Sequence, residues 1–300
     1  RDEDLRADRQ PEHTQLDLEM SFVHQEDVME AVESLYIDLI SSVNSDMKVD
    51  KIFEKMTYSE AMNNYGSDKP DLRFGMQLKN LTDIAQNIES NVISNSLANG
   101  GILKGFTAKN ASSYGRKDFD RLTDLVKSQG AGGLIYISIP SDLQEPVQID
   151  QTNGPLNKFY SKENFDSIIQ KTEASAGDVI FMIIGDEKTV NASLSFLRNH
   201  IAKEKNLIDI DTMKFVWITD FPLFEKDDEN NWQAAHHVFS APKPDDVEFL
   251  DTDPGKVKAD LFDLVCNGVE LGSGSIRIHD RKLQEKVFDV IGYSKKDVSS

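Results

Sequence analysis

Three hundred residues are enough for one large domain or two ordinary ones, with a sizeable core. The balance of 33 Lys+Arg against 52 Asp+Glu gives −19, which argues against broad non-specific nucleic-acid binding while leaving room for a local basic path along RNA. No apolar run approaches the roughly 18 residues of a membrane-spanning helix, and the single Cys266 excludes an intrachain disulfide framework or a cysteine-rich zinc site.

Residues 1–21, RDEDLRADRQPEHTQLDLEMS, read as two strand-like ends around a charged loop. Arg1 and Glu3, two apart, share one face of a strand, and Gln15, Asp17 and Glu19 alternate with Leu16, Leu18 and Met20. The expectation is a long-tipped hairpin, apolar on the face toward the core and charged on the other. Residues 26–40 place Val28, Val32, Leu35, Tyr36 and Leu39 at helical spacing. A short extended piece at 51–53 precedes a helix from Thr57, with Glu60 at the capping-box position, and 64–70 is rich in turn formers.

From Gln77 a different unit begins. It runs through a weakly helical stretch (83–97), a turn at 99–101, a strand (102–108), and a helix (116–128) with Phe119, Leu122, Leu125 and Val126 on one face. A β-rich run (134–139), a polar loop (140–153), a helix capped by Ser161 (161–171), a buried strand (179–184) and an amphipathic helix (189–203) complete it. Residues 102–201 thus form an α+β module with its own core and no constellation of titratable groups. A strand at 215–219 returns to the main sheet, a polar tip follows at 226–231, and a strand at 232–237 ends on His236-His237. Pro254 is placed to start a helix to about Val265, and a last helix at 281–291 stops at Gly292.

The run 262–279, FDLVCNGVELGSGSIRIH, has Ser275, Arg277 and His279 alternating with Ile276 and Ile278. Asp263 and Glu270 precede it, and Gly272 and Gly274 permit close approach of a backbone or ligand. One sheet face is expected to carry Arg1, Glu3, Asp17, Glu19, Asp263, Glu270 and Arg277. Two arginines and several carboxylates on one cleft suit an anionic nucleotide held with a divalent metal.

These residues carry a resemblance. RDEDLRADRQPE followed by TQLDLEMSF is similar to motif 2 of the class II aminoacyl-tRNA synthetases, in the bacterial-type aspartyl form. YGSDKPDLRFGM (65–76), WITDFPLFE (217–225), HHVFSAPK (236–243) and NGVELGSGSIRIHD (267–280) resemble the same family in the same order. The resemblance implies an α+β fold: the class II antiparallel sheet flanked by helices, interrupted by a smaller α+β insertion domain. It divides the chain into 1–76 (first part of the catalytic core), 77–207 (linker and non-catalytic insertion) and 208–300 (second part of the core). It also implies a fragment, without the anticodon-binding barrel, motif 1 and motif 3.

The implied reaction is ATP-dependent activation of aspartate, then transfer to tRNA-Asp, with tRNA-Asn left open as a second acceptor. By resemblance Arg1 bridges the α-phosphate and the amino-acid carboxylate, Glu3 and Gln10 contact ATP, and Asp263 and Glu270 hold Mg²⁺ on the phosphates. Asp17 and His236 serve the substrate aspartate, Glu19 is a weaker candidate, and Arg277 takes the aspartate side-chain carboxylate. Asp71 and Arg73 resemble a segment at the edge of the site. A homodimer is implied for the full-length protein, and no membrane role. His13, Val238 and Ser273 stand where the family usually has Phe, Pro and Gly. Those departures and the Asn-, Ser- and Lys-rich insertion favour a mitochondrial matrix enzyme, with a bacterial cytoplasmic one as the alternative. The competing readings are an inactive nucleotide- or RNA-binding fragment and a paralogue that makes an adenylate for another acceptor.

Overall fold

The computed structural model describes residues 12, 14–144 and 146–293. They form two compact units, one from the described residues up to Tyr58 together with those from Asp211 onward, the other Ser59–Ile210. In chain order, the first unit opens with α1 (Gln25–Val43), β1 (Lys48–Val49) and β2 (Glu54–Thr57). The helix is the predicted one, but its buried face is Met29 and Ile40 with Val28, Val32, Tyr36 and Ile37 beside them, while Leu35 and Leu39 are exposed. The expected strand at 51–53 sits three residues later, at β2, and α2 (Tyr58–Tyr65) follows it without a break.

The first expectation to fail is the hairpin arm at 15–20. Residues 14–20 are irregular and exposed, Leu16 at 78% and Leu18 at 54%. Alternation supplies a pattern of faces but no hydrogen bonds, and a strand needs a paired neighbour to exist. The other arm falls outside the described residues.

The second unit continues through β3 (Lys79–Asn80), α3 (Thr82–Ala85), α4 (Asn91–Ala98), β4 (Ile102–Ala108), α5 (Arg116–Lys127), β5 (Ile135–Ser138), α6 (Lys162–Thr172), β6 (Val179–Gly185) and α7 (Glu187–Glu204). Its sheet, ordered β3-β4-β6-β5, is antiparallel at every pairing. Both faces are covered, which is why β6 reads as a continuous apolar run and β4 is buried along nearly its whole length. Phe106, Phe181 and Ile183 meet Phe119, Leu122 and Val126 of α5 and Val190, Leu194 and Leu197 of α7. Leu103, Ile180 and Met182 meet Ala85, Ile93, Phe165 and Ile168 on the other side. Helix α6 is capped as expected, Ser161 Oγ accepting from the Asn164 amide at 3.1 Å. Residues 59–76, assigned on sequence to the catalytic core, pack by their contacts in this unit.

Two buried cations in this unit escaped the sequence reading. Lys104, only 1% exposed, donates to Asn191 Oδ1 at 2.9 Å and Asn63 Oδ1 at 3.3 Å. Arg198, equally buried, donates to the carbonyls of Asp71, Phe74 and Gly75 and lies over the rings of Phe74 and Tyr65. Burial pushes the Arg198 pKa down to about 10, against the opposing pull of Tyr65 and Asp71, so it stays charged at neutral pH.

The chain returns to the first unit with β7 (Thr212–Met213), β8 (Phe215–Thr219), β9 (Phe224–Lys226), β10 (Trp232–Ala234), β11 (Leu261–Cys266), β12 (Val269–Ser275) and α8 (Arg281–Val290). The main sheet is ordered β12-β11-β8-β2, with β2 parallel to β8 and the rest antiparallel. Helix α1 covers one face, burying Phe53, Phe215, Trp217, Phe262, Leu264 and Cys266, and Glu33 accepts from the Trp217 indole at 2.8 Å. The helix expected from Pro254 to about Val265 is not there. A short 3-10 turn, Pro254–Lys256, gives way to the buried strand β11. Short apolar runs are ambiguous between helix and strand. The overlooked signal is Asn267-Gly268, both at positive φ and joining β11 to β12 in a two-residue turn. Helix α8 ends where expected, with Gly292 at φ +79°. No helix among the described residues is long and apolar enough to cross a membrane.

Candidate active site

Strands β8, β11 and β12 decide which candidate side chains share a face. Phe262, Leu264 and Cys266 fill the core under α1. Asp263, opposite Ile218 on one side and Ser273 on the other, therefore lies on the other face, 5% exposed. It is a buried strand residue and not the solvated helical charge that the helix reading would make it.

Glu270 reaches that face through an irregularity. Leu264 is opposite Gly272 but Val265 is opposite Glu270, so Leu271 is an extra residue in β12. Under strict alternation Glu270 would share the side of Gly272 and Gly274, which is the core side. With Leu271 bulged out, Glu270 pairs with Val265 and joins Asp263. Gly274 serves the packing instead. A Cβ there would sit 2.6 Å from the Phe262 ring, so the glycine makes room for that core side chain.

Asp263 and Glu270 together fit Mg²⁺, which takes one or two carboxylates and completes its shell with phosphate and water oxygens. Among the described residues no group of three His, Cys, Asp or Glu could hold a metal by itself. A cation on this pair would therefore draw its other ligands from a phosphorylated substrate.

Arg277 lies two residues beyond β12, on backbone fastened to the segment after His237. Ala241 donates to Ile276 O at 2.8 Å, and Ile278 donates to Phe239 O at 2.9 Å. The Arg277 Nη1 donates to Ser275 Oγ at 2.7 Å, and the Ser240 hydroxyl donates to the same oxygen at 3.1 Å. The guanidinium carbon lies 4.3 Å from the Phe239 ring centroid, and His237 stacks on Phe239 at 4.9 Å. The expected strand ending on His237 stops at Ala234, and the histidines sit on the bend that follows. His236 meets the Phe221 ring edge-on at 5.0 Å.

Lys243 was not foreseen, although a lysine in a Pro- and Asp-rich segment was the available signal. Its ammonium lies 3.1 Å from Asp220 Oδ1 and 3.3 Å from Asp260 Oδ1. Burial alone would lower its pKa, but the two carboxylates outweigh that and hold it raised. Asp220 ends β8 in a left-handed conformation, φ +58°. Asp17 and Glu19 lie in the exposed irregular stretch, while Arg1, Glu3 and Gln10 lie outside the described residues.

Comparison with known proteins identifies the family. Residues 1–300 match the family described as tRNA synthetases class II (D, K and N). The aspartate–tRNA ligase of Clostridium tetani (strain Massachusetts / E88) is 47% identical over 299 residues, covering 98% of this chain and 49% of that protein. That of Macrococcus caseolyticus (strain JCSC5402) is 46% identical over 296 residues, 98% of this chain and 48% of that protein. The aspartate–tRNA(Asp/Asn) ligase of Dehalococcoides mccartyi (strain CBDB1) is 42% identical over 301 residues, 99% of this chain and 50% of that protein. The chain spans about half the length of the curated relatives it matches. With a family match over residues 1–300 and relatives 42–47% identical over nearly the whole chain, the chain belongs to the class II tRNA synthetases of the D, K and N group.

Proposed function

We propose that the full-length protein is an aspartate–tRNA ligase and that this chain supplies much of its catalytic core, 1–76 and 208–300, around an insertion at 77–207. The observation that carries the reading is the pairing of Asp263 and Glu270 on one face of a sheet whose next residues, beyond β12, present an anchored guanidinium at Arg277. The names of the relatives supply the substrate.

In the first step the aspartate α-carboxylate attacks the α-phosphorus of ATP. A P–O bond forms to the amino acid, the bond to pyrophosphate breaks, and negative charge gathers on the non-bridging oxygens. Arg1 bridges the α-phosphate and the carboxylate, offsetting that charge and holding two mutually repelling anions together. Glu3 and Gln10 place the nucleotide. Asp263 and Glu270 would hold Mg²⁺, which would supply neutralisation of phosphate charge. Arg277 pairs with the side-chain carboxylate, and asparagine would leave that cation without its anion. Asp17 takes the substrate ammonium and His236 lines the amino-acid side.

The acceptor is tRNA-Asp. The Asp/Asn name of one relative supports tRNA-Asn as a second acceptor. A homodimer is proposed for the full-length protein. The relatives named above are bacterial, which favours the bacterial setting over the mitochondrial one suggested by composition.

Aspartate-dependent ATP–pyrophosphate exchange by the full-length protein, followed by charging of purified tRNA-Asp and tRNA-Asn, tests the proposal. Exchange and charging with aspartate are expected. Nucleotide binding without exchange would leave a binding protein, and exchange without charging would indicate another acceptor.

A further inference from the structure

We propose that Phe239 and Ser275, backed by His237 and Ser240, are positioning residues that set the Arg277 guanidinium for one planar carboxylate. The inference rests on Arg277 being the ligand of the substrate's side-chain carboxylate.

An arginine on an exposed stretch samples many rotamers, and a two-point bond to a carboxylate forms only when both groups lie in one plane. Two contacts remove that freedom here. The Phe239 ring, 4.3 Å from the guanidinium carbon, fixes the tilt of the plane. The bond from Nη1 to Ser275 Oγ at 2.7 Å fixes its rotation within that plane.

Each contact has its own support. His237 stacks on Phe239 with the rings 8° from parallel and 4.9 Å apart. The Ser240 hydroxyl reaches Ser275 Oγ at 3.1 Å, which holds that oxygen toward the arginine. A turn brings these supports together, the Ser240 amide donating to His237 O at 3.2 Å. The turn is then fastened to the arginine's own segment by the Ile278 amide on Phe239 O and the Ser240–Arg277 bridge. Phe239 and Ser275 thus meet the guanidinium while His237 and Ser240 brace them from behind, although Phe239 remains 41% exposed and contributes little to a core. A plane set before substrate arrives favours a flat two-oxygen anion over an amide of the same shape, because the amide nitrogen would face N–H groups that cannot turn away.

The test uses full-length protein and measures aspartate and ATP dependence separately in pyrophosphate exchange. Phe239→Leu should raise the KM for aspartate about tenfold and leave that for ATP within about twofold, with Phe239→Tyr restoring most of the loss. Ser275→Ala should raise the aspartate KM about fivefold by the same split. Thermal unfolding of the Ser275 variant should match the parent, and that variant decides the matter should Phe239→Leu fail to fold. Near-parental aspartate KM in Phe239→Leu and Ser275→Ala, beside a strong loss in Arg277→Lys, would overturn the positioning role and leave the Arg277 assignment standing. Equal weakening for aspartate and ATP in Arg277→Lys would overturn the assignment itself.

Discussion

Arg198 Nη2 lies 2.7 Å from the backbone carbonyl of Asp71, so a helix of the second unit holds a loop 127 residues earlier in the chain. The same guanidinium takes the carbonyls of Phe74 and Gly75. Arg198→Ala therefore leaves three acceptors without their donor. We expect a loss of about 4 kcal/mol in urea unfolding, and Arg198→Lys to recover only a minor part, since an ammonium cannot span the three oxygens in one plane. A loss under about 1 kcal/mol would show that the loop holds itself.

Asp186 caps α7 by accepting from the Thr189 amide at 2.9 Å, and that bond lowers its pKa. A carboxyl depressed in the folded state stabilises above its unfolded pKa and loses that contribution as pH falls through the folded value. Asp186→Ala should therefore cost about 1 kcal/mol at pH 7. The gap between variant and parent should narrow as the pH falls through the lowered folded value of Asp186. A gap independent of pH would assign the effect to shape and not to charge.

Arg277→Lys retains a positive charge but loses the planar fork. In the full-length protein kcat/KM for aspartate should fall roughly a hundredfold, the equivalent of about 3 kcal/mol of charge-assisted bonding. ATP dependence should move far less, because the nucleotide is assigned to Arg1, Glu3 and Glu270. The measurement is exchange kinetics with each substrate varied in turn.

Deleting Leu271 should remove the bulge and leave Glu270 beside Gly272, still opposite Val265 and on the Asp263 side of β12, whereas Glu270→Gln keeps the bulge and removes the carboxylate. The deletion should keep most adenylate formation, with far-UV circular dichroism near the parent's. The Glu270→Gln variant should lose most of it and need more magnesium for what remains. Parental activity and magnesium dependence in Glu270→Gln would separate Glu270 from the phosphates.

Much of the fold was legible because its helices keep the helical period and its buried strands are short β-rich runs bounded by turn formers. The strands at 102–108 and 215–219 have the predicted bounds, and α5 and α6 differ from expectation by about one residue, within the usual uncertainty at helix ends. Failures fall where the period is silent or broken. LFDLVC is buried on both faces, with Asp263 among apolar neighbours, so neither period marks it, and Pro254 favours a helix over the Asn267-Gly268 turn. Glu270 was named by resemblance, but alternation would have pointed it the wrong way, since a bulge is a property of pairing and not of one strand's composition. The frame around Arg277 was hidden for a related reason: it joins residues near 239 to residues near 276 through a bridge that no local pattern announces.

Trp217 lies 2% exposed under α1 with its indole bonded to Glu33, and the chain's other tryptophan, Trp232, carries Lys226 over its ring at 3.8 Å. Both belong to the same unit, and residues 59–210 contain none. Excitation at the red edge of protein absorbance therefore reports on one unit alone, while the other is seen only through its tyrosines and its circular dichroism. Denaturation curves from the two signals should separate if the units unfold independently, so the molecule carries its own two-channel optical readout without any added label.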